Sequence, residues 1–183
     1  MLSRLLALLI FILLSPIFIL ITLVIFLEDG SPIFFKQKRV GINYTFFNIY
    51  KFRSMKKNTP NVATHLLTNP ENFLLKIGRM LRKLSLDELP NLINIIKGEM
   101  VFVGPRPALY NQDDLMALRV AAGIDKLKPG ITGWAQINGR DEISIEEKVA
   151  LEKEYLERKS FWFDLVILVR TFTSVVKSKG VVH

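Results

Sequence analysis

The feature that most constrains this chain is an uncharged apolar segment near its N-terminus, LLALLIFILLSPIFILITLVIFL, between Leu5 and Leu27. A continuous helix of that length would measure roughly 35 Å, enough to cross the hydrocarbon core of a bilayer. Ser15 and Pro16 lie at its middle, and an internal proline removes one backbone hydrogen bond and crowds the preceding turn. We therefore expect a bend there, in either a kinked spanning helix or a re-entrant helix that enters and leaves one leaflet. The residues alone favour the spanning form, because membranes tolerate kinked spanning helices.

The charges that flank this segment indicate its orientation. Arg4 is the only basic side chain before it, whereas three basic residues follow within the next dozen positions: Lys36, Lys38 and Arg39. Because cytoplasmic flanks carry the excess of Lys and Arg, we expect the rest of the chain in the cytoplasm. No small-x-small cleavage site follows the segment, so we expect it to be retained. The chain then divides into a membrane segment, residues 1–28, and one globular unit, residues 29–183.

The globular unit has the pattern of an α+β fold, mainly helical, with a small β element and amphipathic interfacial helices. Aromatic and β-branched runs on either side of Gly41 predict a hairpin, and apolar residues recur at helical spacing from Phe73 to Leu84. The remaining elements are predicted, in chain order, as a polar loop at 56–72, a helix that starts at 85–90, a strand at 100–103, loops at 104–107 and 128–140, and helices at 144–159 and 160–176. Trp162 and its Phe neighbours favour the membrane interface for the last helix, although a core helix is the alternative.

Several functional classes lack their characteristic residues here. The chain has no cysteine, and only His65 and His183 could supply an imidazole. The P-loop, the G-x-G-x-x-G turn, the H-E-x-x-H motif and the serine elbow are also absent from the sequence. Catalysis must therefore rest on carboxylates, hydroxyls, lysines or a bound metal. An excess of 25 Lys and Arg over 17 Asp and Glu, for a net charge of +8, favours an anionic ligand.

The adjacent carboxylates Asp87 and Glu88 have a structural and a chemical interpretation. Ser85 followed three residues later by Glu88 is the pattern of a capping box. Capping does not require Asp87, which lies about 100° from Glu88 around a helix. At a helix N-terminus Asp87 is expected to stay ionised, and an ionised Asp is a competent nucleophile toward phosphorus. Glu88 could bind Mg2+ through its carboxylate oxygens.

Attack on a pyrophosphate by a carboxylate requires cations that neutralise the repulsion between the two anions. Arg53, Arg82 and Arg106 are available for this role. Singly, each of them is more simply a solvated basic residue. The sequence GPRP at 104–107 is by itself a rigid turn that carries a charge.

Taken together, the motifs resemble those of the monotopic phosphoglycosyl transferases, a family of bacterial sugar transferases. The matching features are the Ser-Pro break, YKFRSM at 50–55, LRKLSLDELPNLINIIKGEMVFVGPRP at 81–107 and KPGITGWAQINGR at 128–140. They occur in the family's order and cover nearly the whole chain, so the set is far more specific than any one motif. Within the family the chain is most similar to the enzymes that transfer phospho-N,N'-diacetylbacillosamine in bacterial N-linked protein glycosylation.

The resemblance implies a two-step reaction. Asp87 attacks the sugar-linked phosphate of a UDP-sugar, implied to be UDP-N,N'-diacetylbacillosamine, and UMP leaves. Undecaprenyl phosphate then takes the phosphosugar from the enzyme. Glu88 is implied as the ligand of a Mg2+ cofactor. The implied phosphate and nucleotide contacts are Arg53, Arg82, Pro105, Arg106, Pro107 and Arg140.

The resemblance also changes the expected membrane geometry, because it implies a re-entrant helix with its kink at Ser15 and Pro16. A monotopic enzyme on the cytoplasmic face of a bacterial inner membrane follows. Its implied partners are the UDP-sugar donor, the undecaprenyl phosphate acceptor, membrane lipid and downstream glycosyltransferases, with no nucleic acid.

Two other classes are compatible with parts of the sequence. One is a membrane-anchored protein that grips nucleic acid or anionic lipid without chemistry, but its basic residues would be gathered in one exposed run. The other is a multi-span transferase in which the lipid phosphate attacks directly, and it would need several hydrophobic spans.

Overall fold

The computed structural model describes residues 2–60, 69–139 and 143–176. The helices are α1 (Leu2–Leu13), α2 (Ser15–Asp29), α3 (Gly78–Lys83), α4 (Asn91–Lys97), α5 (Asp113–Ala121), α6 (Trp134–Asn138), α7 (Ile145–Arg158) and α8 (Phe161–Val176). The strands are β1 (Phe34–Val40), β2 (Phe46–Phe52), β3 (Val101–Val103) and β4 (Gly130–Thr132). Within the described ranges the protein is mainly helical, as the sequence predicts, and its β structure consists of two small sheets, β1-β2 and β3-β4.

The apolar N-terminal segment forms two helices instead of one. α1 and α2 are bent by 61° at Leu14, next to the predicted position. Pro16 lies in the first turn of α2, where its missing N–H leaves no hydrogen bond unmade, and the Ser15 hydroxyl donates to the carbonyl of Ile12 at 2.7 Å. Among the described helices, none is on its own long and apolar enough to cross a membrane, whereas this bent pair meets that test by length and composition.

Both ends of the bent pair contact the globular part of the protein. At the N-terminal end, the guanidinium of Arg4 lies against Gly98, the residue that follows α4. At the C-terminal end, the Glu28 carboxylate accepts a hydrogen bond of 2.5 Å from the backbone N–H of Lys76. Both ends of the bent helix pair therefore lie against the globular part of the protein.

The predicted hairpin is confirmed in β1 and β2. The strands pair antiparallel, with Phe34 opposite Phe52 and Val40 opposite Phe46. Phe52 is 1% exposed and packs against Phe18 of α2, with ring centroids 5.3 Å apart. One face of the hairpin therefore packs against the apolar helix pair. The alternate residues of β2 point to the opposite face.

The prediction of a loop over residues 128–140 is wrong for the part that the structure describes. β4 runs parallel to β3, with Val101 opposite Gly130, and α6 follows directly. A Cβ at Gly130 or Gly133 would collide with the backbone of Gly104, so these glycines permit close approach of two backbone segments. Glycine density here marks tight packing and not irregular chain.

The predicted helix from Phe73 to Leu84 is shorter than its pattern. Phe73 ends a 3-10 turn, and Leu74 forms an antiparallel bridge with Met55. The neighbouring Leu75 N–H donates to the Ser54 carbonyl at 3.0 Å, which keeps this stretch extended. The α-helix therefore begins only at residue 78. Of the predicted polar loop at 56–72, residues 61–68 lie outside the described residues.

The C-terminal half is built around α7, the helix predicted at 144–159. Ser144 caps it in a capping box with Glu147. Its Glu152 forms a buried two-point ion pair with Arg119 of α5, with the Arg119 Nε atom 2.7 Å from Oε2; the side chains are 3% and 6% exposed. α8 buries Phe163 and Ile167 against this layer. Its other face exposes a set of large apolar side chains: Phe161, Trp162, Leu165, Val166, Leu168, Val169 and Phe172.

The buried ion pair gives a stability prediction with an internal control. Arg119→Met leaves the Glu152 carboxylate buried without its cation, so we expect a loss of about 3–5 kcal/mol in the free energy of unfolding. Arg79→Met removes the partner of Glu71 in an exposed ion pair and should change it by less than about 1 kcal/mol. Urea unfolding of the two variants measures both losses. Equal losses for the two variants would contradict the assignment of Arg119 as a structural cation.

Candidate active site

Asp87 and Glu88 lie in a 3-10 turn, Leu86–Glu88, between α3 and α4. The predicted capping box is wrong, because Ser85 has a left-handed backbone (φ 53°) and its side chain makes no capping hydrogen bond. An N-cap residue is normally extended, so this conformation removes the geometry that capping needs. The α-helix begins later, at Asn91. Glu88 is thereby left for other contacts.

Glu88 turns toward the hairpin. Its carboxylate accepts a hydrogen bond from Lys51 Nζ at 2.6 Å, and its Oε1 atom lies 4.0 Å from Nη1 of Arg106. The Glu88 side chain is only 16% exposed, so this pairing is partly shielded from water. Cations from β2 and from the 104–107 loop therefore meet at one carboxylate.

Asp87 is partly buried, and its pKa is raised from 3.8 to about 6. Burial is the largest cause, and the neighbouring Glu88 charge adds to the rise, whereas Lys51 and Arg82 oppose it. The direction is opposite to the one predicted from a helix N-terminus, because a single 3-10 turn provides a small dipole and desolvation outweighs it. At neutral pH the carboxylate is still mainly ionised, but it is a more basic anion than an ordinary Asp.

The loop that carries Arg106 is fixed through three consecutive carbonyls. The Pro105 carbonyl accepts from the Gly130 N–H at 2.9 Å. The Arg106 carbonyl accepts from Nη2 of Arg119 at 2.9 Å, and the Pro107 carbonyl accepts from Nη1 of Arg39 at 3.0 Å. With the two proline rings restricting φ, this backbone has little freedom. The Arg106 side chain is thus presented to Glu88 from a rigid support.

The other predicted arginines are placed differently from one another. Arg82 donates from Nε to Ser54 Oγ at 2.9 Å and lies close enough to Asp87 for its charge to lower that pKa. Arg53 is 7% exposed; its guanidinium pairs with the Asp29 carboxylate and donates to the Gly30 carbonyl at 2.6 Å. Arg53 therefore joins the end of α2 to the hairpin. Arg140 lies outside the described residues.

Lys51 is the site residue that sequence reasoning missed. It lies in the YKFRSM stretch, but Arg53 draws attention there as a phosphate ligand. The signal was strand alternation: Phe52 faces the apolar helices, so Lys51 must point to the opposite side, toward Glu88. The hairpin thus contributes Lys51 to the site, whereas Arg53 connects the hairpin to α2.

A narrow pocket lies among these side chains. It has a free volume of about 10 Å³, close to the space of one water molecule. Its lining includes Lys51, Glu88, Asn91 and Arg106. Asn91 is 1% exposed, and no described residue donates a hydrogen bond to its Oδ1 atom.

The pocket can be tested for its fit to Mg2+. Within the described ranges there is no cluster of three or more His, Cys, Asp or Glu that could hold a metal ion. The pocket does offer the Glu88 carboxylate and the unpaired carbonyl oxygen of Asn91. Mg2+ is usually bound through one or two protein oxygens, with substrate phosphates and water as its other ligands. The residues present fit such an ion when a phosphorylated substrate accompanies it.

Comparison with known proteins identifies the family to which the chain is similar. A family model described as bacterial sugar transferase matches residues 1–178. The chain is 45% identical over 168 residues to a protein of Bacillus subtilis named "Uncharacterized sugar transferase EpsL", covering 91% of this chain and 82% of that one.

Two longer relatives carry names that state a reaction. The chain is 39% identical to the "UDP-glucose:undecaprenyl-phosphate glucose-1-phosphate transferase" of Escherichia coli, over 91% of this chain and 37% of that protein. It is 31% identical to the "UDP-N-acetylgalactosamine-undecaprenyl-phosphate N-acetylgalactosaminephosphotransferase" of Aeromonas hydrophila, over 91% of this chain and 40% of that protein.

The raised pKa of Asp87 predicts a stability change that depends on pH. A rise from 3.8 to about 6 is worth about 3 kcal/mol, and because Asp87 is partly exposed we expect about 1–3 kcal/mol. The folded state binds this proton more tightly than the unfolded chain, so the ionised group opposes folding above pH 6 and this penalty vanishes as the pH falls toward 4. Asp87→Asn should therefore be more stable than the unsubstituted protein at pH 8 and lose that advantage at pH 4.

Urea unfolding between pH 4 and pH 8, in the presence of EDTA, measures this difference. The control is Asp113→Asn, since Asp113 is exposed in the first turn of α5 and its ionised form favours the helix. That variant should be no more stable than the unsubstituted protein at any pH. An Asp87→Asn variant that is less stable at pH 8 would show that the surrounding cations outweigh desolvation.

Proposed function

This chain belongs to the bacterial sugar transferase family and is a phosphoglycosyl-1-phosphate transferase, and we propose that it moves a sugar phosphate from a UDP-sugar to undecaprenyl phosphate through a covalent intermediate on Asp87. The observation that carries the proposal is the desolvated Asp87 carboxylate, whose pKa of about 6 reflects burial beside Lys51, Glu88 and Arg82. A carboxylate in this state is mainly ionised at neutral pH and more basic than usual, as a nucleophile toward phosphorus should be.

The proposed reaction has two displacements at one phosphorus atom. A carboxylate oxygen of Asp87 bonds to the sugar-linked phosphorus, the bond from that phosphorus to the bridging pyrophosphate oxygen breaks, and UMP leaves with the bond electrons. The enzyme then carries an aspartyl phosphosugar. An oxygen of undecaprenyl phosphate next attacks the same phosphorus and releases the Asp87 carboxylate. The product is an undecaprenyl diphosphate sugar.

The cations of the site are well placed to exchange partners when the donor binds. Lys51 and Arg106 both face Glu88, and an incoming pyrophosphate would compete with Glu88 for them. Arg106 would then contact the nucleotide side of the donor from its rigid loop, and Lys51 the phosphate that Asp87 attacks. Bound Mg2+ would neutralise the charge that develops on the leaving phosphate. In this proposal Arg53 supports the site through Asp29 and does not contact phosphate.

We place the enzyme on the cytoplasmic face of a bacterial inner membrane, with α1 and α2 as a re-entrant pair. Two observations support this geometry. Arg4 and Glu28, at opposite ends of the pair, both contact the globular part, which would put both ends on one side of a bilayer. Large apolar side chains are also exposed along the pair: Leu2, Leu5, Leu6, Leu8, Leu9, Ile12, Leu13, Ile17, Ile19, Leu20, Leu23, Phe26 and Leu27. The exposed face of α8 would lie at the membrane interface.

The identity of the donor sugar is a separate prediction. UDP-N,N'-diacetylbacillosamine stays the prediction for this chain, with downstream glycosyltransferases of N-linked glycosylation as consumers of the product. The names of the relatives cited above refer to glucose and N-acetylgalactosamine instead. A screen of UDP-sugars for UMP release, with and without undecaprenyl phosphate, would identify the donor.

The nucleophile assignment is tested by turnover of Asp87→Asn. With the best UDP-sugar, undecaprenyl phosphate and Mg2+, this variant should lose product formation by at least about a thousandfold, since an amide cannot replace the attacking carboxylate. Asp113→Asn, outside the site, should retain the rate of the unsubstituted enzyme. Turnover by Asp87→Asn within about tenfold of that rate would exclude Asp87 as the nucleophile.

The membrane geometry is tested by labelling a cysteine placed at position 2, because the chain has no other cysteine. A membrane-impermeant maleimide applied to spheroplasts should leave Leu2→Cys unlabelled and label it after the membrane is broken. Asn58→Cys, beyond α2 in the globular part, is the control and should behave in the same way. Labelling of position 2 but not of position 58 from the periplasmic side would show that the segment crosses the membrane.

A further inference from the structure

The side chain of Asn91 is buried at a cost that the fold does not offset. It is 1% exposed, and its Oδ1 atom has no hydrogen-bond donor among the described residues. Leaving a buried amide oxygen unpaired destabilises a protein, so such atoms are rare in native structures. Asn94, one turn further along α4, shows the usual situation. Its side chain donates to the Asn48 carbonyl and Glu99 carboxylate at 2.7 Å and accepts from the Tyr50 N–H at 3.2 Å.

Asn91 and Glu88 are arranged as a pair. They are three residues apart, and the intervening Leu89 and Pro90 both have right-handed helical backbones. Side chains three apart in a helical segment share a face, with Cβ atoms about 5–6 Å apart. Both side chains also line the same narrow pocket. An oxygen from each can therefore reach one small ligand that lies between them.

The properties of the pocket indicate what that ligand is. Three cationic side chains, Arg39, Lys51 and Arg106, line the pocket beside Glu88 and Asn91, so a phosphate anion is expected to accompany any metal ion that binds there. One of the two oxygens carries negative charge, and the other is a neutral amide carbonyl. Hard cations such as Mg2+ bind carboxylate and amide oxygens, and they require few protein ligands when phosphates complete the coordination.

We propose that the Asn91 Oδ1 atom is a second protein ligand of the Mg2+ at Glu88, so that the sequence Glu88-Leu89-Pro90-Asn91 forms a two-oxygen clamp. The inference rests on the proposed function, since the phosphates that complete the site come from the donor or from UMP. Lys51 and Arg106 now neutralise Glu88, and an anionic phosphate would draw them away. Metal and phosphate should therefore bind together.

The test uses Mn2+ as a paramagnetic substitute for Mg2+, with binding measured by electron paramagnetic resonance in the presence of saturating UMP. Asn91→Leu removes the oxygen with little change in side-chain volume. We expect its Mn2+ affinity to fall by at least about tenfold, because removing a residue that only hydrogen-bonds to a metal ligand already costs about that much. Asn91→Asp keeps an oxygen and adds charge, so it should bind Mn2+ at least as tightly as the unsubstituted protein. Glu88→Gln should also weaken binding.

Unfolding measurements separate this role from a structural one. Asn91→Leu removes an unpaired buried oxygen, so it should be as stable as the unsubstituted protein or more stable. Asn94→Leu breaks three hydrogen bonds on the same helix and should be clearly less stable.

The proposal is overturned if Asn91→Leu binds Mn2+ within about twofold of the unsubstituted protein, or if Asn91→Asp binds it more weakly. Product formation by the unsubstituted enzyme and by Asp87→Asn is measured in parallel. Suppose that the unsubstituted enzyme is active, Asp87→Asn is inactive and Asn91→Leu still binds Mn2+. The transferase function then stands, and only the assignment of Asn91 as a metal ligand is wrong. If the unsubstituted enzyme forms no product with any UDP-sugar, the proposed function fails independently of the metal result.

Discussion

Two adjacent carboxylates can be kept in one partly buried turn only if cations surround them, and the structure around Asp87 and Glu88 meets this requirement. Lys51 comes from the hairpin, Arg82 from α3 and Arg106 from the 104–107 loop. Each belongs to a different element, so the site exists only when these elements are packed together. These cations do not fully offset the desolvation of the carboxylates, because the pKa of Asp87 is still raised to about 6. The Asp87 carboxylate is therefore more basic than an ordinary Asp, whereas Glu88 is paired with Lys51 and Arg106.

The supports of these cations are rigid, which matters for a reaction that relies on positioning and electrostatics. The loop with Arg106 is held at three successive carbonyls, by β4, by Arg119 and by Arg39. Arg119 is itself fixed by its buried pair with Glu152. Next to the apolar helix pair, Arg53 binds Asp29 at the end of α2 and so connects the pair to the strand that carries Lys51. In the proposed re-entrant geometry, the depth of the site in a bilayer would follow from how the helix pair packs against the hairpin.

Local sequence patterns predicted what depends on neighbouring residues. The Ser15-Pro16 break follows from proline geometry, and the β1-β2 hairpin follows from aromatic and β-branched runs on either side of Gly41. The charged helix predicted at 144–159 is α7. The same patterns failed where tertiary contacts decide. The Ser85 capping box is absent because that residue is left-handed, and the glycine-rich stretch after Lys128 is a strand and a helix pressed against Gly104.

The residues of the site could be predicted from the sequence better than the contacts between them could. Asp87, Glu88 and Arg106 were named from the sequence, but nothing local shows that Arg53 would pair with Asp29 or that Lys51 would take the place beside Glu88. These pairings span more than 20 residues and depend on which hairpin face is buried. The unpaired oxygen of Asn91 is likewise visible only once burial is known.

The central claim, a phosphosugar covalently bound to Asp87, is tested most directly by mass spectrometry of the enzyme after incubation with UDP-sugar and Mg2+ in the absence of undecaprenyl phosphate. We predict that the intact mass rises by one phosphosugar, that peptide mapping places the addition on Asp87, and that undecaprenyl phosphate removes it. Product formation without any such adduct under rapid quenching, or an adduct on another residue, would contradict it.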